Sequence, residues 1–543
     1  MGTEWPWFKH YPEGVRRSLD YPDVTMNFYL EESARKYPSK PVTIFYGRET
    51  TYAEMAHYVD RLAAALRRMG VSKGDRVALM LPNCPHYVIS YYAIIKLGAI
   101  VVQVNPMYTT KELDYLLADS GAETIILLDA FYPRLEAAER RAQMRNVIGV
   151  ILGQPQAELG EGVHVFEEVV KLNNPDPAVG KDVGPDDVAV LQYTGGTTGV
   201  AKGAMLTHRN LVANALQITE WSRPMLEVGE ERILTVLPLF HSYGMTCCMN
   251  VGMVVGATLI LLPKFEPEEV VNTIKQYKPT LFHGVPTMYV AVNSFPNVKD
   301  YGISSIKGCM SGAAPLPVEV QREFEAITGG TLVEGYGLSE ATPVTHCNPL
   351  EGTRKVGSIG VPMPDTICKV MDVETGEREM PVGEIGELVI KGPQVMKGYW
   401  NMPEETARAL RDGWLYTGDI VRMDEDGFFY VVDRKKDMII AGGFNIYPRE
   451  VEEALYEHPK VLEAAVVGVP DEYRGETVKA YVVLKEGEEA SAEEIIEHCR
   501  RNLAAYKVPR LVEFRDELPK TTVGKILRRV LAEEEKEKLA SRG

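Results

Sequence analysis

A glycine-rich loop near the middle of the chain carries the clearest chemical signal. Residues 193–203 have the sequence YTGGTTGVAKG and follow a short apolar run, residues 188–191, that is typical of a strand. Glycines let the backbone approach a ligand closely, and threonine hydroxyls, backbone N–H groups and the Lys202 cation suit a polyphosphate. A Walker A loop would need glycine before the lysine and serine or threonine after it, whereas Ala201 and Gly203 stand there. The pattern predicts a different kind of phosphate loop, and the alternative is an ordinary surface turn.

A second motif combines an aromatic ring with a carboxylate. Residues 334–340 have the sequence EGYGLSE. Tyr336 offers a ring that can stack on a base, and Glu340 offers a hard oxygen ligand for Mg²⁺. The alternative is a polar loop with an exposed glutamate, so the motif indicates a nucleotide site only together with the glycine-rich loop.

Two weaker patterns could complete such a site. His241 follows the apolar run LPLF at residues 237–240, and histidine is a common catalytic type, although a buried core histidine is the alternative. Residues 311–316, with the sequence SGAAPL, have small side chains against which a flat base could lie. That stretch could equally be a simple turn.

Charged groups in the last third of the chain could contact the rest of a nucleotide. Asp419 ends the sequence YTGD, and a carboxylate can accept both hydroxyls of a ribose. Arg434 belongs to the run DRKKD at residues 433–437 and could reach ribose or phosphate as a multi-donor cation. The alternative for the run is a solvated turn. The basic segment LPKTTVGKILRR at residues 518–529 is, by itself, most simply a surface helix.

Together these motifs resemble those of the adenylate-forming enzymes, the superfamily of acyl-CoA synthetases, luciferases and peptide-synthetase adenylation domains. The usual loop of that family is Tyr-Thr-Ser-Gly-Thr-Thr-Gly-x-Pro-Lys-Gly, and here Gly195 replaces the serine and Ala201 the proline. This variant resembles bacterial long-chain fatty-acid–CoA ligases in particular. The resemblance extends over almost the whole chain.

The resemblance implies a role for each motif. Lys525, His241 and Lys202 would be catalytic, with Lys525 holding the substrate carboxylate and the α-phosphate and His241 lying near the acyl carboxylate. Thr194 and Glu340 would bind Mg²⁺. Gly442 and Gly443 would face the pantetheine arm of CoA. The residues that would contact ATP are Thr194, Gly195, Gly196, Thr197, Thr198, Gly199, Gly312, Ala313, Ala314, Tyr336, Gly337, Ser339, Asp419 and Arg434.

Composition limits the class of protein. The chain has 543 residues and a formal net charge of −17, which argues against a general nucleic-acid binder, since such a protein would show a basic face. Its seven cysteines form no Cys-x-x-Cys pair, which indicates a reduced, cytoplasmic protein without a disulfide framework or zinc site. A peripheral contact of the protein with the inner face of the membrane is left open, and so is the formation of a homodimer.

One stretch is long enough to span a bilayer. Residues 242–263 contain no charged residue. However, they include Asn250 and three glycines and close on Pro263. These features favour a buried helix followed by a buried strand.

The elements that must position the motifs follow a regular alternation. Apolar strands predicted at residues 77–81, 100–104 and 124–128 are separated by helices, and another helix is predicted from Tyr52 to Met69. Continuous apolar strands between helices argue for a parallel sheet covered on both faces. The alternation resumes after the glycine-rich loop, giving a second α/β unit.

The pattern changes beyond residue 357, where strands become short and turn signals dense, as in a small β-barrel. The predicted fold is therefore α/β: a large N-terminal lobe of two doubly wound subdomains plus a small β-barrel subdomain, and a small α+β C-terminal lobe. The resemblance implies an AMP-binding lobe of residues 1–435 and a mobile lobe of residues 436–543, with Lys436 at the hinge.

The expected reaction converts a long-chain fatty acid, ATP and CoA into acyl-CoA, AMP and pyrophosphate through an acyl-adenylate. Residues 242–245 and 284–288 carry apolar or small side chains without charge and are compatible with an acyl tunnel. The alternatives are a medium-chain or aryl-CoA ligase, or a ligase that delivers the adenylate to a carrier protein. Outside catalysis, a nucleotide-binding regulator with a decayed active site is the alternative.

Overall fold

The computed structural model describes residues 5–194, 201–441, 444–471, 474–521 and 526–540. The chain forms two compact units. The first comprises Met1–Ile367 and Ile390–Leu415, and the second comprises Cys368–Val389 and Tyr416–Gly543.

The first unit contains a seven-stranded sheet with the glycine-rich loop at its edge. Neighbouring strands pair in parallel except for the last two, which form an antiparallel hairpin. In spatial order the strands are His164–Val165, Asn146–Val150, Thr124–Leu128, Arg76–Met80, Ile100–Gln103, Val188–Thr194 and Lys202–Thr207. The three strands predicted here are confirmed to within one residue at each end.

The first unit also contains a nine-stranded sheet. Its central strands run parallel, and antiparallel strands lie at both edges. In spatial order they are Val361–Pro362, Val344–Cys347, Thr331–Gly337, Gly308–Ser311, Leu281–Phe282, Arg232–Thr235, Thr258–Leu261, Pro41–Phe45 and Arg48–Thr51. The prediction of two parallel-sheet subdomains is confirmed.

Helices connect the strands of both sheets. The predicted helix from Tyr52 is confirmed as Tyr52–Arg68 and begins with a capping box, in which the Thr51 side chain and Glu54 satisfy each other's backbone N–H groups. The other α-helices of the first unit are Asn27–Lys36, Pro85–Leu97, Thr110–Ser120, Tyr132–Glu136, Phe166–Leu172, His208–Trp221, Val251–Val255, Pro267–Tyr277, Pro286–Asn293, Val318–Thr328 and Pro403–Ala409. Shorter 3₁₀ segments are Pro6–His10, Asp129–Phe131, Glu139–Gln143, Val298–Tyr301, Ile303–Ser305 and Ser339–Ala341.

The uncharged stretch from residue 242 to 263 is buried inside the first unit. A π-helical segment, Gly244–Asn250, continues into the α-helix Val251–Val255, and the strand Thr258–Leu261 follows. This confirms the predicted buried helix followed by a buried strand. Among the residues that the structure describes, no helix has the length and apolar composition needed to cross a membrane.

The sequence prediction misses one strand that matters for the site. Lys202–Thr207 pairs with Val188–Thr194, whereas the pattern indicated only the helix that begins at His208. Thr207 ends the strand and also caps that helix, because its side chain accepts the N–H of Asn210. The helix signal at Thr207 therefore concealed the strand before it.

The second unit is built around two antiparallel-rich sheets. The small sheet consists of Ile367–Met371, Ile385–Lys391, Trp414–Met423 and Phe429–Arg434. The short strand Leu410–Arg411, which belongs to the first unit, pairs with Leu415 and Trp414. The C-terminal sheet consists of Ile439–Ala441, Phe444–Ile446, Val461–Asp471, Gly475–Leu484 and Leu511–Phe514. Its helices are Pro448–Tyr456, Ala492–Asn502 and Arg528–Ala540. Apolar residues of the C-terminal sheet and helices, such as Val466, Val482 and Ile495, form a separate core, as a small α+β domain requires.

Candidate active site

The hairpin of the seven-stranded sheet brings two predicted ligands together. Thr194 lies opposite Lys202 in the register of strands Val188–Thr194 and Lys202–Thr207. A hydroxyl and a cation therefore stand side by side at the two ends of the glycine-rich loop. The other five predicted contacts of the loop lie outside the described residues: Gly195, Gly196, Thr197, Thr198 and Gly199.

Lys202 is buried, with 8% of its surface exposed. Its ammonium forms an ion pair with Glu405 and lies 5.3 Å from the centroid of the Tyr399 ring. The hydrogen bond and the charge of Lys202 hold the pKa of the Glu405 carboxyl below its usual range. The cation is thus fixed in place by an anion and an aromatic ring.

The same tyrosine contacts the predicted metal ligand. Glu340 lies on the short turn Ser339–Ala341 that follows the strand Thr331–Gly337. The Tyr399 hydroxyl donates to Oε1 of Glu340 at 2.8 Å, and the N–H of Met396 donates to the Glu340 backbone carbonyl at 2.8 Å. Burial raises the pKa of Tyr399, with the Glu340 carboxylate as a further cause, so this phenol stays protonated and donates. One aromatic side chain therefore links the Lys202 cation to the Glu340 carboxylate.

Sequence reasoning did not identify Tyr399 and Glu405. Glu405 lies in the first turn of the helix Pro403–Ala409, where an acidic residue is ordinarily explained by the helix dipole. The contact with Lys202 joins residues 203 positions apart, so no local pattern could reveal it.

The small-residue segment after the strand Gly308–Ser311 is placed beside the Tyr336 strand. Glu334 accepts the N–H of Leu316 at 3.3 Å, which ties the two segments together. Ala313 is exposed and has a left-handed backbone, with φ of 68°. Ala314 is partly exposed, and a Cβ added to Gly312 would lie 3.1 Å from the Tyr243 ring. The segment packs closely against the Tyr243 ring at Gly312 and is exposed at Ala313, so a flat ligand could lie against it.

Tyr336 and Gly337 end the neighbouring strand. The Tyr336 ring is partly exposed and packs edge-on against His346, with centroids 5.8 Å apart. A Cβ added to Gly337 would lie 2.2 Å from the Pro343 carbonyl oxygen, a distance that real Cβ atoms do not show. Only glycine therefore fits between Tyr336 and Leu338.

His241 lies on a tight turn before the π-helical segment. The His241 N–H donates to the Pro238 carbonyl at 3.1 Å, and the Tyr243 N–H donates to Nδ1 of His241 at 3.2 Å. Because Nδ1 accepts, the neutral ring carries its proton on Nε2. Ser242 Oγ lies 3.4 Å from Ser339 Oγ, which connects this turn to the Glu340 segment. The turn thus carries an N–H donor at Nε2 of His241.

The predicted acyl-binding residues are uncharged and, except for the exposed Thr287, buried. The Tyr243 hydroxyl donates to the Met310 carbonyl at 2.6 Å, and a Cβ added to Gly284 would lie 3.2 Å from the Tyr289 ring. Burial lowers the pKa of His283 to about 4, so this histidine is neutral at physiological pH. The environment is compatible with an apolar ligand.

In the second unit, the structure brings together the two predicted ribose contacts. Asp419 and Arg434 are directly opposite each other in the strands Trp414–Met423 and Phe429–Arg434. Arg434 Nε lies 3.4 Å from Asp419 Oδ1. A carboxylate and a cation at this spacing could hold a ribose hydroxyl pair. Gly442, Gly443 and Lys525 lie outside the described residues.

A cluster of charged side chains surrounds the predicted hinge, still within the second unit. Arg528 forms ion pairs with Asp433 at 2.9 Å, with Asp437 at 3.4 Å and with Glu452. Burial opposes ionisation of Arg528, but the carboxylates outweigh it and raise the pKa of the guanidinium. Burial lowers the pKa of Lys436, which lies between the two aspartates in sequence.

Protein groups do not form a complete metal cage in the described part of the chain, where no cluster of three or more His, Cys, Asp and Glu side chains could hold an ion. Glu340 offers one oriented carboxylate. Such a site suits Mg²⁺, which is usually held by one or two carboxylates together with substrate phosphates and water.

Comparisons with known proteins agree over nearly the whole chain. The AMP-binding enzyme family matches residues 30–400, and the AMP-binding enzyme C-terminal domain matches residues 450–525. A long-chain-fatty-acid–CoA ligase of Bacillus subtilis (strain 168) is 49% identical over 557 residues, covering 99% of each chain. A feruloyl-CoA synthase of an Amycolatopsis species is 42% identical over 501 residues, covering 91% of this chain and 96% of that protein.

Solved structures of known proteins also match nearly the whole chain. The crystal structure of ATP-bound MatB from Rhodopseudomonas palustris matches with a TM-score of 0.84 and 33% identity, covering 94% of this chain and 99% of that one. The family match spans more than half of the chain, and the relatives cover almost all of it. This chain therefore belongs to the AMP-binding enzyme family.

Proposed function

We propose that this protein is an AMP-forming long-chain fatty-acid–CoA ligase. It converts a fatty acid, ATP and CoA into acyl-CoA, AMP and pyrophosphate through an acyl-adenylate. The observation that carries the proposal is the arrangement of Lys202, Tyr399 and Glu340, in which one ring fixes a phosphate-binding cation and a metal-binding carboxylate. Such preorganised charges stabilise the anionic transition state of phosphoryl chemistry.

In the first half-reaction, a carboxylate oxygen of the fatty acid attacks the α-phosphorus of ATP. A new O–P bond forms, the bond to the bridging oxygen of the β-phosphate breaks, and pyrophosphate leaves with the electron pair. Lys202 and Thr194 hold the phosphates, and the Nε2–H of His241 donates to the substrate carboxylate and orients it. Mg²⁺ on Glu340 and Thr194 supplies charge neutralisation when bound. Catalysis at this step is positioning and electrostatics.

Different residues are proposed to bind the adenine base and the ribose. Tyr336 stacks on adenine, and the other nucleotide contacts are Gly312, Ala313, Ala314, Gly337, Ser339 and the residues of the glycine-rich loop. Asp419 and Arg434 hold the ribose. Lys525 joins the α-phosphate and the carboxylate during adenylation only.

In the second half-reaction, the CoA sulfur attacks the acyl carbon of the adenylate. The S–C bond forms, the C–O bond to AMP breaks, and the thiol proton goes to solvent. The pantetheine arm passes Gly442 and Gly443. The lobe of residues 436–543 rotates about Lys436 relative to the lobe of residues 1–435 between the two steps, which is a hinge motion of a known kind.

Chain length is the finer part of the proposal. The Bacillus subtilis relative is named for long-chain acids, whereas the Amycolatopsis relative is named for ferulate, so an aryl-CoA ligase is the second candidate. Buried methylenes contribute about 0.8 kcal/mol each, so kcat/KM rises roughly fourfold per carbon until the tunnel is full. The buried, uncharged surroundings of Gly284 and His283 favour the alkyl chain.

The test is CoA-dependent AMP formation with acids from acetate to octadecanoate, together with ferulate and benzoate. We expect kcat/KM to peak at about twelve to eighteen carbons, the range that the family resemblance implies. A peak at ferulate would replace the fatty acid by an aryl substrate and leave the ligase chemistry intact. Pyrophosphate release without AMP formation on addition of CoA would favour delivery to a carrier protein, and no pyrophosphate release with any acid would favour a regulator.

The proposal also covers location and partners. All seven cysteines are buried with free thiols, which suits a cytoplasmic enzyme. Contact with the inner face of the membrane and homodimer formation are part of the proposal, without a role for nucleic acid. Vesicle co-sedimentation and light scattering after size exclusion test these two points.

A further inference from the structure

One buried asparagine makes three hydrogen bonds to the turn that carries His241. Asn83 follows the strand Arg76–Met80 and is 2% exposed. Its Nδ2 donates to the carbonyls of Thr235 at 3.2 Å and Leu237 at 2.9 Å, and its Oδ1 accepts the N–H of Leu239 at 2.8 Å. One side chain therefore contacts three backbone groups along the connection from the end of the strand Arg232–Thr235 to Leu239. The Thr235 carbonyl also accepts the N–H of Leu262 at 3.1 Å.

Two further side chains hold the same turn. The Tyr87 hydroxyl donates to the Leu239 carbonyl at 2.8 Å, and Nε2 of Gln192 donates to the Phe240 carbonyl at 3.1 Å. Tyr87 belongs to the helix Pro85–Leu97, and Gln192 belongs to the strand that ends at Thr194. The turn is thus attached to the seven-stranded sheet, which also carries the phosphate hairpin.

Buried backbone groups need such partners, because an unpaired donor or acceptor inside the protein is destabilising. Asn83 is suited to the task, since its amide presents two donors and one acceptor in a fixed plane. Replacement by an apolar residue would remove the Asn83 partner of the Leu237 carbonyl and of the Leu239 N–H, while the Thr235 carbonyl would keep the N–H of Leu262. The turn would then move to recover partners, and the His241 ring would move with it.

We propose that Asn83, supported by Tyr87, is a positioning residue that sets the location of the His241 ring in the adenylation step. The inference rests on the role proposed above for His241. Asn83 does not touch the reacting atoms. It acts by fixing the backbone from Thr235 to Leu239, which determines where the Nε2–H of His241 lies relative to the phosphate hairpin.

The test is a double-mutant cycle on the full-length enzyme, read by ATP–pyrophosphate exchange with a saturating fatty acid. We expect Asn83→Ala and Asn83→Asp each to slow exchange about tenfold in the otherwise unchanged enzyme, and less than about twofold in a His241→Ala background. Asn83→Asp keeps the size and the Oδ1 acceptor but turns an acceptor towards the carbonyls of Thr235 and Leu237. Tyr87→Phe, which removes only a hydroxyl, should give a smaller loss of about threefold with the same dependence on His241.

Matched controls come from the same region. Asn27 is also a buried asparagine, 4% exposed, and its Nδ2 donates to the Tyr92 carbonyl at 2.9 Å. Tyr92 is a buried tyrosine of the same helix as Tyr87, and its hydroxyl donates to Asn250 at 3.0 Å. Asn27→Ala and Tyr92→Phe should lower the unfolding temperature by a similar amount but leave exchange within about twofold of the parent.

The possible results separate the two claims. Equal fold losses from Asn83→Ala with and without His241 would show a general structural effect and overturn the positioning role, while the role of His241 stands. No loss from His241→Ala alone would overturn both the proposed role of His241 and the inference built on it. If the Asn83 variants do not fold, the Tyr87→Phe cycle decides: an additive result overturns the inference, and a His241-dependent loss supports it.

Discussion

The two units hold their candidate site residues by different kinds of interaction. In the first unit, hydrogen bonds to the backbone hold the segments that carry His241 and Glu340, through Asn83 and the Met396 N–H, while the Lys202 side chain is held by its ion pair with Glu405. In the second unit, multiple ion pairs do so, with Arg528 between Asp433 and Glu452 as the main example. Hydrogen bonds to the backbone depend on direction, whereas ion pairs depend on the charge of both partners. The first unit should therefore tolerate little change in shape, and the second little change in charge.

The largest expected effect separates the units by their acid sensitivity. Burial lowers the pKa of His208 and His283 to about 4 and of His346 to about 3, and all three are in the first unit. The unfolded chain takes up these protons near pH 6.5, before the folded state can. Stability of the first unit therefore falls as pH drops from about 6.5 to about 4, by several kcal/mol in total.

The second unit should lose stability at lower pH. Burial opposes ionisation of Glu513, but hydrogen bonds from Lys479, Lys538 and Arg515 outweigh it and lower its pKa to about 2. A carboxyl with a lowered pKa stabilises the fold above its unfolded pKa, and that contribution is lost from about pH 4.5 downwards.

Tryptophan fluorescence reports the first unit, because all five tryptophans belong to it: Trp5, Trp7, Trp221, Trp400 and Trp414. Hydrogen exchange of the strand Gly475–Leu484 reports the second, and coincident loss of both signals would contradict the comparison.

Breaking the Arg528 cluster should give the next largest effect. Arg528→Met leaves Asp433, Asp437 and Glu452 without their shared cation, and removing one partner from a buried ion pair costs about 3–5 kcal/mol. Calorimetric unfolding should show the second unit melting earlier and the first unchanged. Arg422→Met is the control, because Arg422 is exposed and its guanidinium packs on the Tyr430 ring. Equal shifts for the two variants would show that the cluster is not what holds this unit.

The first unit should instead fail when its shape changes. Gly337→Ala places a Cβ where the Pro343 carbonyl oxygen stands, so Tyr336 and the Glu340 turn must shift. A displacement of about 1 Å in a catalytic site can lower the rate about 100-fold. We expect that loss in kcat/KM for ATP. Gly184→Ala is the control, since the nearest atom to its new Cβ would be 3.9 Å away, and activity within twofold for both variants would refute the shape argument.

The smallest predicted effect concerns the ring shared by Lys202 and Glu340. Tyr399→Phe keeps the ring beside Lys202 but removes the hydroxyl that donates to Glu340. A hydrogen bond to a charged group contributes about 1.5–3 kcal/mol, so KM for magnesium ATP should rise about tenfold with little change in unfolding temperature. Tyr430→Phe removes a comparable bond to Asp424 in the second unit and should leave that KM unchanged. An unaltered KM in Tyr399→Phe would mean that the hydroxyl does not orient Glu340.

The sequence predicted the fold well where local pattern and tertiary structure agree. Apolar strands such as Thr124–Leu128 are buried on both faces, so their composition alone identifies them. The strand Lys202–Thr207 was missed because it ends in a helix cap, so the pattern of the helix that begins at His208 concealed it. Propensity cannot distinguish such a strand from a loop that leads into a helix.

The candidate site shows the same division. Lys202, His241 and Glu340 could be named from motifs, because their neighbours in sequence are distinctive. Asn83 and Glu405 could not, because their importance comes from what they contact across the fold: the Leu239 backbone in one case and the Lys202 ammonium in the other. A side chain that acts through another residue is not identified by the sequence on either side of it.

The ion pair between Lys202 and Glu405 has a further consequence if Lys202 binds the phosphates as proposed. Binding of ATP is then an exchange of anions, because the Lys202 ammonium is already paired with the Glu405 carboxylate of the same chain. Triphosphate enters by taking the place of the Glu405 carboxylate, and pyrophosphate departs as that carboxylate returns. Local charge is balanced before and after each turnover, so an anion can be captured by an acidic protein and released without leaving a bare, buried lysine behind.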